Sequence, residues 1–241
     1  KMKNGAVLRN GTQRTAKEVF EKYAIVIAFL ALLIVVSILC SSFLTPSNLI
    51  LVLNQTSING ILAVGITYVL ITAGIDISIG SVVGLSGVIS AMVVKAGAPL
   101  PVGFLCGILA GTLVGVIIGI LVTKGKLAPY IVTLGFLTII RGAALLIAGG
   151  RPISSLGDAY GWIGNHNVFG VIPCPVIIFL IVVVIGHIIL AHLQIGRYIY
   201  AVGGNSNAAE ACGISPNKVK MFVHVFCGTC AGLAGVILSS R

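Results

Sequence analysis

Charged side chains are scarce in this 241-residue sequence: they make up 8% of it, and only five of them are acidic. Soluble domains carry roughly a quarter charged residues, so the scarcity excludes an ordinary soluble fold. The hydrophobic share of 58% and the mean hydropathy of +1.15 agree with that exclusion. Because only helices and closed barrels satisfy their backbone inside lipid, the composition indicates an all-α, polytopic integral membrane protein.

Nucleotide-binding and hydrolytic motifs are also missing. The sequence contains no GxxxxGK(S/T) phosphate loop, no GxGxxG, no HExxH and no GxSxG. Together with the few acids, these absences disfavour a membrane enzyme. They also disfavour an ion-coupled carrier, which places acids within its spans to take up protons or sodium. We therefore expect no catalytic residue and no cofactor in this chain.

The cysteines and histidines do not form a metal-binding pattern. Cys227 and Cys230 make a CxxC inside a predicted span, with no second pair or histidine nearby in sequence. His187 and His192 are five residues apart, which is a poor spacing for one helical face. We expect no metal site.

The net charge of +10 is a topology signal. Cytoplasmic loops of membrane proteins are rich in Lys and Arg, and most bases here fall in segments assigned to one side. We therefore expect a cytoplasmic N-terminus and no nucleic-acid partner. The bases on that side are Lys1, Lys3, Arg9, Arg14, Lys17, Lys22, Lys124, Lys126, Arg197, Lys218 and Lys220.

About seven transmembrane helices are predicted, because roughly 20 apolar residues cross a hydrocarbon core of about 30 Å. Residues 1–22 form a cytoplasmic basic tail, and residues 23–241 form the transmembrane domain. Residues 51–94 are too long for one crossing and must be broken near residues 73–80. The predicted spans are 23–43, 51–72, 81–95, 102–122, 128–148, 171–193 and 216–240.

Three features within the spans carry predictions. Asn54, Gln55, Ser57 and Asn59 form a polar face on span two, which lines a permeation path or makes hydrogen bonds between helices. The glycines at 107, 111, 115 and 119 recur every four residues and favour close packing of another helix. Arg141 lies within span five, where it is either a structural anchor or part of a functional pair.

A polar segment, residues 194–220, interrupts the apolar sequence and is called the island here. Asn207 is predicted to cap a short helix, with Glu210 as the second half of a capping box and Gly213 at its end. Ser215 and Pro216 are typical of the cap and first residue of the next helix. A short, rigid helix between two spans is a candidate docking surface for a cytoplasmic partner.

Three strings in this order resemble the permease subunit of bacterial ABC sugar importers of the ribose/xylose type, within the binding-protein-dependent transport permease family. They are VLITAGIDISIGSVVGLSG at residues 69–87, TLGFLTIIRGAALLIAGGRPI at residues 133–153 and IGRYIYAVGGNSNAAEACGISPNKVK at residues 195–220. The resemblance runs from about Asn48 to Arg241. It implies a multi-pass subunit of the bacterial cytoplasmic (inner) membrane that imports a ribose-like monosaccharide.

The resemblance also implies partners. These are a second permease copy, an extracytoplasmic sugar-binding protein and a separate ABC ATPase subunit that carries ATP and Mg. The ATPase would engage a coupling loop, residues 194–218. The residues of this loop that match the family pattern are Gly203, Gly204, Asn205, Ala209, Glu210 and Gly213.

The GIDISIG string carries the second group of site residues. Gly74, Asp76, Ser78 and Gly80 are either a kinked segment near the pathway or gate, or a break in which Asp76 or Ser78 caps span three. The full set of pathway or gate candidates is Asn54, Gln55, Asn59, Gly74, Asp76, Ser78 and Arg141.

Family members continue beyond the point that matches Arg241, with further spans and another glycine-rich loop. We therefore expect this chain to be a truncated product or fragment, or to take the missing helices from a partner. A branched-chain amino acid permease shares the general architecture and is the alternative function. A self-sufficient channel or secondary carrier is a third, and it would need no ATPase.

Overall fold

The structure, a computed structural model, describes residues 23–154, 156–157, 159–168 and 172–241. The predicted basic tail at residues 1–22 lies outside these ranges. The chain divides into two compact units, Lys1–Leu51 and Val52–Arg241. The larger unit contains every site residue that the sequence predicts.

Helices make up nearly all of the described secondary structure. The single short hairpin pairs β1 (Asn167–Val168) antiparallel with β2 (Ile172–Pro173). The helices are α1 (Tyr23–Leu39), α2 (Pro46–Ile71), α3 (Ile79–Lys95), α4 (Leu100–Thr123), α5 (Pro129–Ile147), α6 (Trp162–Asn165), α7 (Cys174–Ala191), α8 (Gln194–Gly204), α9 (Ser206–Ala211) and α10 (Pro216–Ser239).

Five helices, α2, α4, α5, α7 and α10, are long and apolar enough to cross a membrane, and α1 and α3 are shorter apolar helices. The polytopic, helical fold class is therefore confirmed. The count of seven spans and the cytoplasmic N-terminus stay predictions.

The boundaries of most predicted spans agree with the helices. The main difference is α2, which begins at Pro46 instead of Leu51. Proline suits the first turn of a helix, because the N–H that it lacks would have no partner there. The predicted break lies between Ile71 and Ile79, and residues 72–78 are called the break below.

Helix α10 lies at the centre of the larger unit, packed against both α3 and α4, which also pack against each other. In its most apolar stretch 61% of the residues are buried, against 17% in α5 and in α7. Helices α5 and α7 are therefore peripheral in this chain, and α10 is the helix on which the others are arranged.

The glycine stripe of α4 packs against α10, so the predicted role in close helix packing is confirmed. A Cβ added at Gly111 would lie 2.5 Å from the Gly228 carbonyl oxygen and 2.6 Å from the Gly232 Cα. Real Cβ atoms do not approach so closely, so glycine is required on both sides. The hydroxyls of Thr112 and Thr229 form a hydrogen bond of 3.0 Å across the same pair of helices.

The connection between α5 and α7 is fastened to one end of the bundle, called the α6 end here. The buried Tyr160 hydroxyl donates to the Ser90 hydroxyl at 3.2 Å and shares a 2.8 Å hydrogen bond with the Ser239 hydroxyl. The Asn54 amide donates to the Gly164 carbonyl oxygen at 3.3 Å. The opposite end of the bundle holds the break and the island, and is called the island end.

Gly111→Ala is expected to lower the free energy of unfolding by about 1–3 kcal/mol, because the new methyl overpacks the contact with α10. Thermal unfolding in detergent measures the change. Gly142→Ala is the matched control, since nothing lies within 4 Å of a Cβ at that helical glycine. Equal unfolding temperatures for the two variants would contradict the packing account.

Candidate functional site

The island contains two helices, and the first of them, α8, is absent from the sequence prediction. Its buried residues are Gly196, Ile199 and Val202, so one face of α8 packs on the bundle. Ile195, Ile199 and Val202 follow a spacing of four and then three residues. That helical periodicity is the signal that could have found α8 inside a polar string.

Asn205, and not Asn207, caps the second helix of the island. The Asn205 side-chain oxygen accepts hydrogen bonds of 3.0 Å from the Asn207 and Ala208 backbone N–H groups. Glu210 lies in the last turn of α9, where no capping-box contact to Asn207 is possible. The predicted capping box is therefore wrong, because the helix begins at Ser206.

The end of α9 agrees with the prediction. Gly213 has a φ of 83°, its N–H donates to the Glu210 carbonyl at 2.9 Å, and the Ile214 N–H donates to the Ala209 carbonyl at 3.0 Å. These two bonds form a Schellman motif, in which glycine supplies the left-handed residue. Pro216 is then the first residue of α10, although the Ser215 side chain makes no capping bond.

The six predicted coupling residues face two directions. Ala209 is 5% exposed, and Gly203 packs inward. The outward side therefore consists of the four remaining residues, which are Gly204, Asn205, Glu210 and Gly213. Among the six, these four are exposed to a docking partner, while Gly203 is half-buried.

The second residue of the break is strained. Ala73 has a φ of 56°, a left-handed conformation that costs roughly 1–2 kcal/mol for a residue with a Cβ. Its N–H donates to the Leu70 carbonyl at 2.9 Å, and the Gly74 N–H donates to the Val69 carbonyl at 3.0 Å. The end of α2 is thus a second Schellman motif, with alanine where glycine is usual.

Asp76 stabilises the break through Ser78. The Asp76 carboxylate, 7% exposed, accepts bonds from the Ser78 N–H at 2.9 Å and from the Ser78 hydroxyl at 2.6 Å. Neither side chain accepts a hydrogen bond from the first-turn N–H groups of α3. The prediction that Asp76 or Ser78 caps α3 through its side chain is therefore wrong. Gly74 beside them is buried, which leaves the break tightly packed.

Two other helices contact the break. The Thr133 hydroxyl on α5 donates to the Ile75 carbonyl at 3.4 Å. His224 on α10 is 3% exposed and interacts electrostatically with Asp76 and Lys220. Its Nδ1 has no hydrogen-bond partner within the described part of the chain. The break is therefore a meeting point of α2, α3, α5 and α10.

The island is in direct contact with the end of α2, immediately before the break, and the sequence does not predict this contact. A Cβ added at Gly203 on α8 would collide with the carbonyl oxygen of Ile71, the last residue of α2. A buried cluster surrounds this contact, and the hydroxyl of its largest member, Tyr68, donates to the Gly186 carbonyl of α7 at 2.6 Å. The buried members are Tyr68, Val69, Ile199, Val202, Ala209, Val219, Val223 and Cys227.

The polar face predicted on α2 is divided. Asn54 is half-buried and bonds the α6 end, as the alternative of helix-to-helix hydrogen bonding expects. Ser57 is 2% exposed and donates to the Asn54 carbonyl. Gln55 and Asn59 are exposed on the surface of this chain, one turn apart.

Arg141 is exposed in the C-terminal half of α5, at a cavity of about 390 Å³ between α3 and α5. Gly80, Ser81 and Gly84 of α3 line the same cavity. A second cavity of about 320 Å³ shares Gly84 and extends toward the α5–α7 connection. No hydrogen bond or ion pair to Arg141 is formed by the residues that the structure describes.

Comparison with known proteins identifies the family. Residues 48–241 match the family described as "Branched-chain amino acid transport system / permease component". The matched region includes the break, Arg141 and the island. No solved structure matches the chain.

Curated relatives carry sugar-transport names. The chain is 41% identical over 224 residues to the ribose import permease protein RbsC of Bacillus subtilis strain 168, covering 92% of this chain and 70% of the relative. It is 39% identical over 219 residues to the protein of that name in Escherichia coli K12, covering 89% and 68%. It is 35% identical over 227 residues to the D-allose transport system permease protein AlsC of that strain, covering 92% and 68%.

The family match spans most of the chain, and the relatives resemble it on both sides of the break and through the island. These similarities agree with an apolar helical bundle in which a capped, rigid island interrupts the spans. The chain belongs to this family of polytopic membrane permeases, and it is a transport subunit and not an enzyme.

Proposed function

We propose that this chain is the membrane-spanning permease subunit of an ATP-driven importer of a ribose-like monosaccharide in the bacterial cytoplasmic (inner) membrane. The observation that carries the proposal is the identity of about 40% to two ribose import permeases over nearly the whole chain. Allose and L-arabinose, named for two further relatives, are also monosaccharides. An uncharged, hydroxyl-rich solute also agrees with a bundle that contains very few acids.

A separate ABC ATPase supplies the energy and carries ATP and Mg in this proposal. The outward side of the island is its docking surface, supported by two helices that are packed and capped instead of flexible. An extracytoplasmic sugar-binding protein delivers the sugar to the opposite side of the membrane. A second permease copy, identical or different, completes the pathway and covers part of the exposed apolar surface of the peripheral helices.

The cavity between α3 and α5 is the proposed solute route, with Arg141 at its side. An arginine facing lipid near the middle of a span costs about 2.5–3.5 kcal/mol on insertion scales, so a polar environment is favoured. The five N–H donors of a guanidinium suit sugar hydroxyls. Gln55 and Asn59 also need a polar environment instead of lipid. The hydrogen bonds between Asp76 and Ser78 fix the inner end of α3, where we expect a gate.

A branched-chain amino acid permease is the second candidate, because the family description names those solutes. The two candidates differ in what they must bind. A zwitterionic amino acid calls for charges of both signs along the route. The charged residues that line the two cavities in the described chain are Arg141 and Arg151, both positive, so an uncharged sugar is the better fit.

Uptake by reconstituted vesicles tests the function. With the ATPase and the binding protein present, radiolabelled ribose is expected to accumulate only when ATP is supplied, and excess leucine is expected not to compete. Omitting the ATPase is the control. Uptake without ATP would instead indicate a channel or secondary carrier, and competition by leucine would favour the amino acid permease.

Gly213→Ala is expected to weaken ATPase docking, because alanine at a φ of 83° strains the end of α9. Co-purification of the ATPase and ATP-driven uptake should both fall several-fold. Gly97→Ala is the matched control, with a φ of 95° in the turn between α3 and α4 and nothing within 4 Å of its Cβ. Wild-type co-purification and uptake in a variant that changes both Glu210 and Gly213 to Ala would exclude the island as the docking surface.

Arg141→Gln is expected to raise the KM for the sugar about tenfold, which corresponds to about 1.4 kcal/mol of lost binding. Initial uptake rates over a range of sugar concentrations measure it. Lys95→Gln at the exposed end of α3 is the control. If KM stays at the wild-type value while the yield of folded protein drops, Arg141 is a structural anchor and does not line the route.

A further inference from the structure

The contact between Gly203 and the Ile71 carbonyl joins the two groups of candidate residues. In glycine, a hydrogen occupies the direction in which a Cβ would collide with this oxygen. The hydrogen therefore points at the carbonyl in a Cα–H···O contact, which is a weak but directional interaction. The last carbonyls of a helix lack partners within the helix, so Ile71 is free to accept it.

No flexible linker separates the docking surface from this contact. Asn205 alone connects the two helices of the island: its N–H bonds the Ala201 carbonyl of α8 at 3.1 Å, and its side chain caps α9. A displacement of α9 therefore moves the end of α8. Gly203 is two residues from this junction.

The chain beyond the contact is equally constrained. Three features restrict the conformation of the break. They are the left-handed Ala73, the buried Gly74 and the hydrogen bonds that Asp76 accepts from Ser78. The Ser78 carbonyl then accepts the first hydrogen bonds of α3, from the Ser81 N–H at 2.9 Å and the Val82 N–H at 3.1 Å. A movement at Ile71 thus reaches the helix that lines the cavity beside Arg141.

We infer that Gly203 is a positioning residue that transmits movement of the docked island to the break, through direct contact of α8 with the end of α2. This role is distinct from docking, because the Cβ direction of Gly203 points at Ile71 and not at the outward side of the island. The role requires glycine, since any Cβ separates the two backbones. The inference rests on the proposed function and assigns to one residue of the island a task distinct from docking.

The strained Ala73 contributes to the same transmission of movement from Ile71 to α3. A residue held in an unfavourable conformation restricts the break to one arrangement, so that a push at Ile71 is passed on and not absorbed. Glycine at this position would relieve the strain and allow several arrangements of the break. Ala73→Gly therefore weakens transmission without adding an atom to the packed core.

The test measures sugar molecules imported per ATP hydrolysed, in vesicles that contain the whole transporter. Gly203→Ala is expected to retain the ATPase on purification and to hydrolyse ATP, while the sugar-to-ATP ratio falls at least tenfold. Gly135→Ala on α5 is the control, since nothing lies within 4 Å of its Cβ. A wild-type ratio for Gly203→Ala, or loss of the bound ATPase from a folded complex, would overturn the inference.

A second pair of variants covers the case in which Gly203→Ala fails to fold. Ala73→Gly is expected to fold normally and to lower the ratio at least threefold. Lys126→Gly is its matched control, because Lys126 is the other described non-glycine residue with positive φ, at 51°. A wild-type ratio for Ala73→Gly would overturn the inference. Absence of ATP-dependent uptake by the wild type would instead refute the proposed function.

Discussion

Direct backbone contact through glycine is the interaction on which the rest of this structure depends, because lipid offers helices no hydrophobic reason to associate. Close approach gains dispersion and weak hydrogen bonds that a larger side chain would prevent. The chain has 31 glycines, and those of α4 and α10 interlock. This contact fixes α10 at the centre, and α10 in turn begins at the island and ends beside α6.

The same kind of contact recurs where function is proposed. Gly65 of α2 lies against Cys227 and Cys230 of α10, so the CxxC contributes to packing. Gly203 of α8 lies against the end of α2. With Tyr68 bonded to α7, these contacts make the island end a continuous packed block. A docking surface built on such a block can transmit a displacement, which a flexible loop could not do.

This end holds the strained Ala73 and one of the three unpartnered buried side-chain atoms of the described chain; the other two, Asn54 Oδ1 and Ser86 Oγ, lie away from the break. Ala73, Asp76 and the unpartnered Nδ1 of His224 all lie at or beside the break. Buried polar atoms without partners are rare and usually have a functional reason. A permease that alternates between two conformations must satisfy different contacts in each, so an incomplete set in one of them is expected where the helices move.

Local sequence signals predicted the features that depend on neighbouring residues alone. The spans, the α4 glycine stripe, Gly213 and Pro216 are of this kind, since apolar length, spacing and backbone conformation determine them. Asn205, Ser206 and Asn207 are all good capping residues, so propensity could not choose between them. The inward Cβ direction of Gly203 depends on its contact with Ile71 of α2, 132 residues earlier in the sequence, and no local pattern predicts that contact.

The distance between the island and the end of α2 tests the central claim most directly. Spin labels at Tyr200 of α8 and Leu70 of α2, both exposed, can be placed in a chain whose native cysteines are replaced, and double electron–electron resonance measures their separation. We predict one narrow distance distribution that is the same without nucleotide and with ATP bound to the complete transporter. A broad distribution, or one that shifts when ATP binds, would show that the island moves independently of the break and would contradict the account.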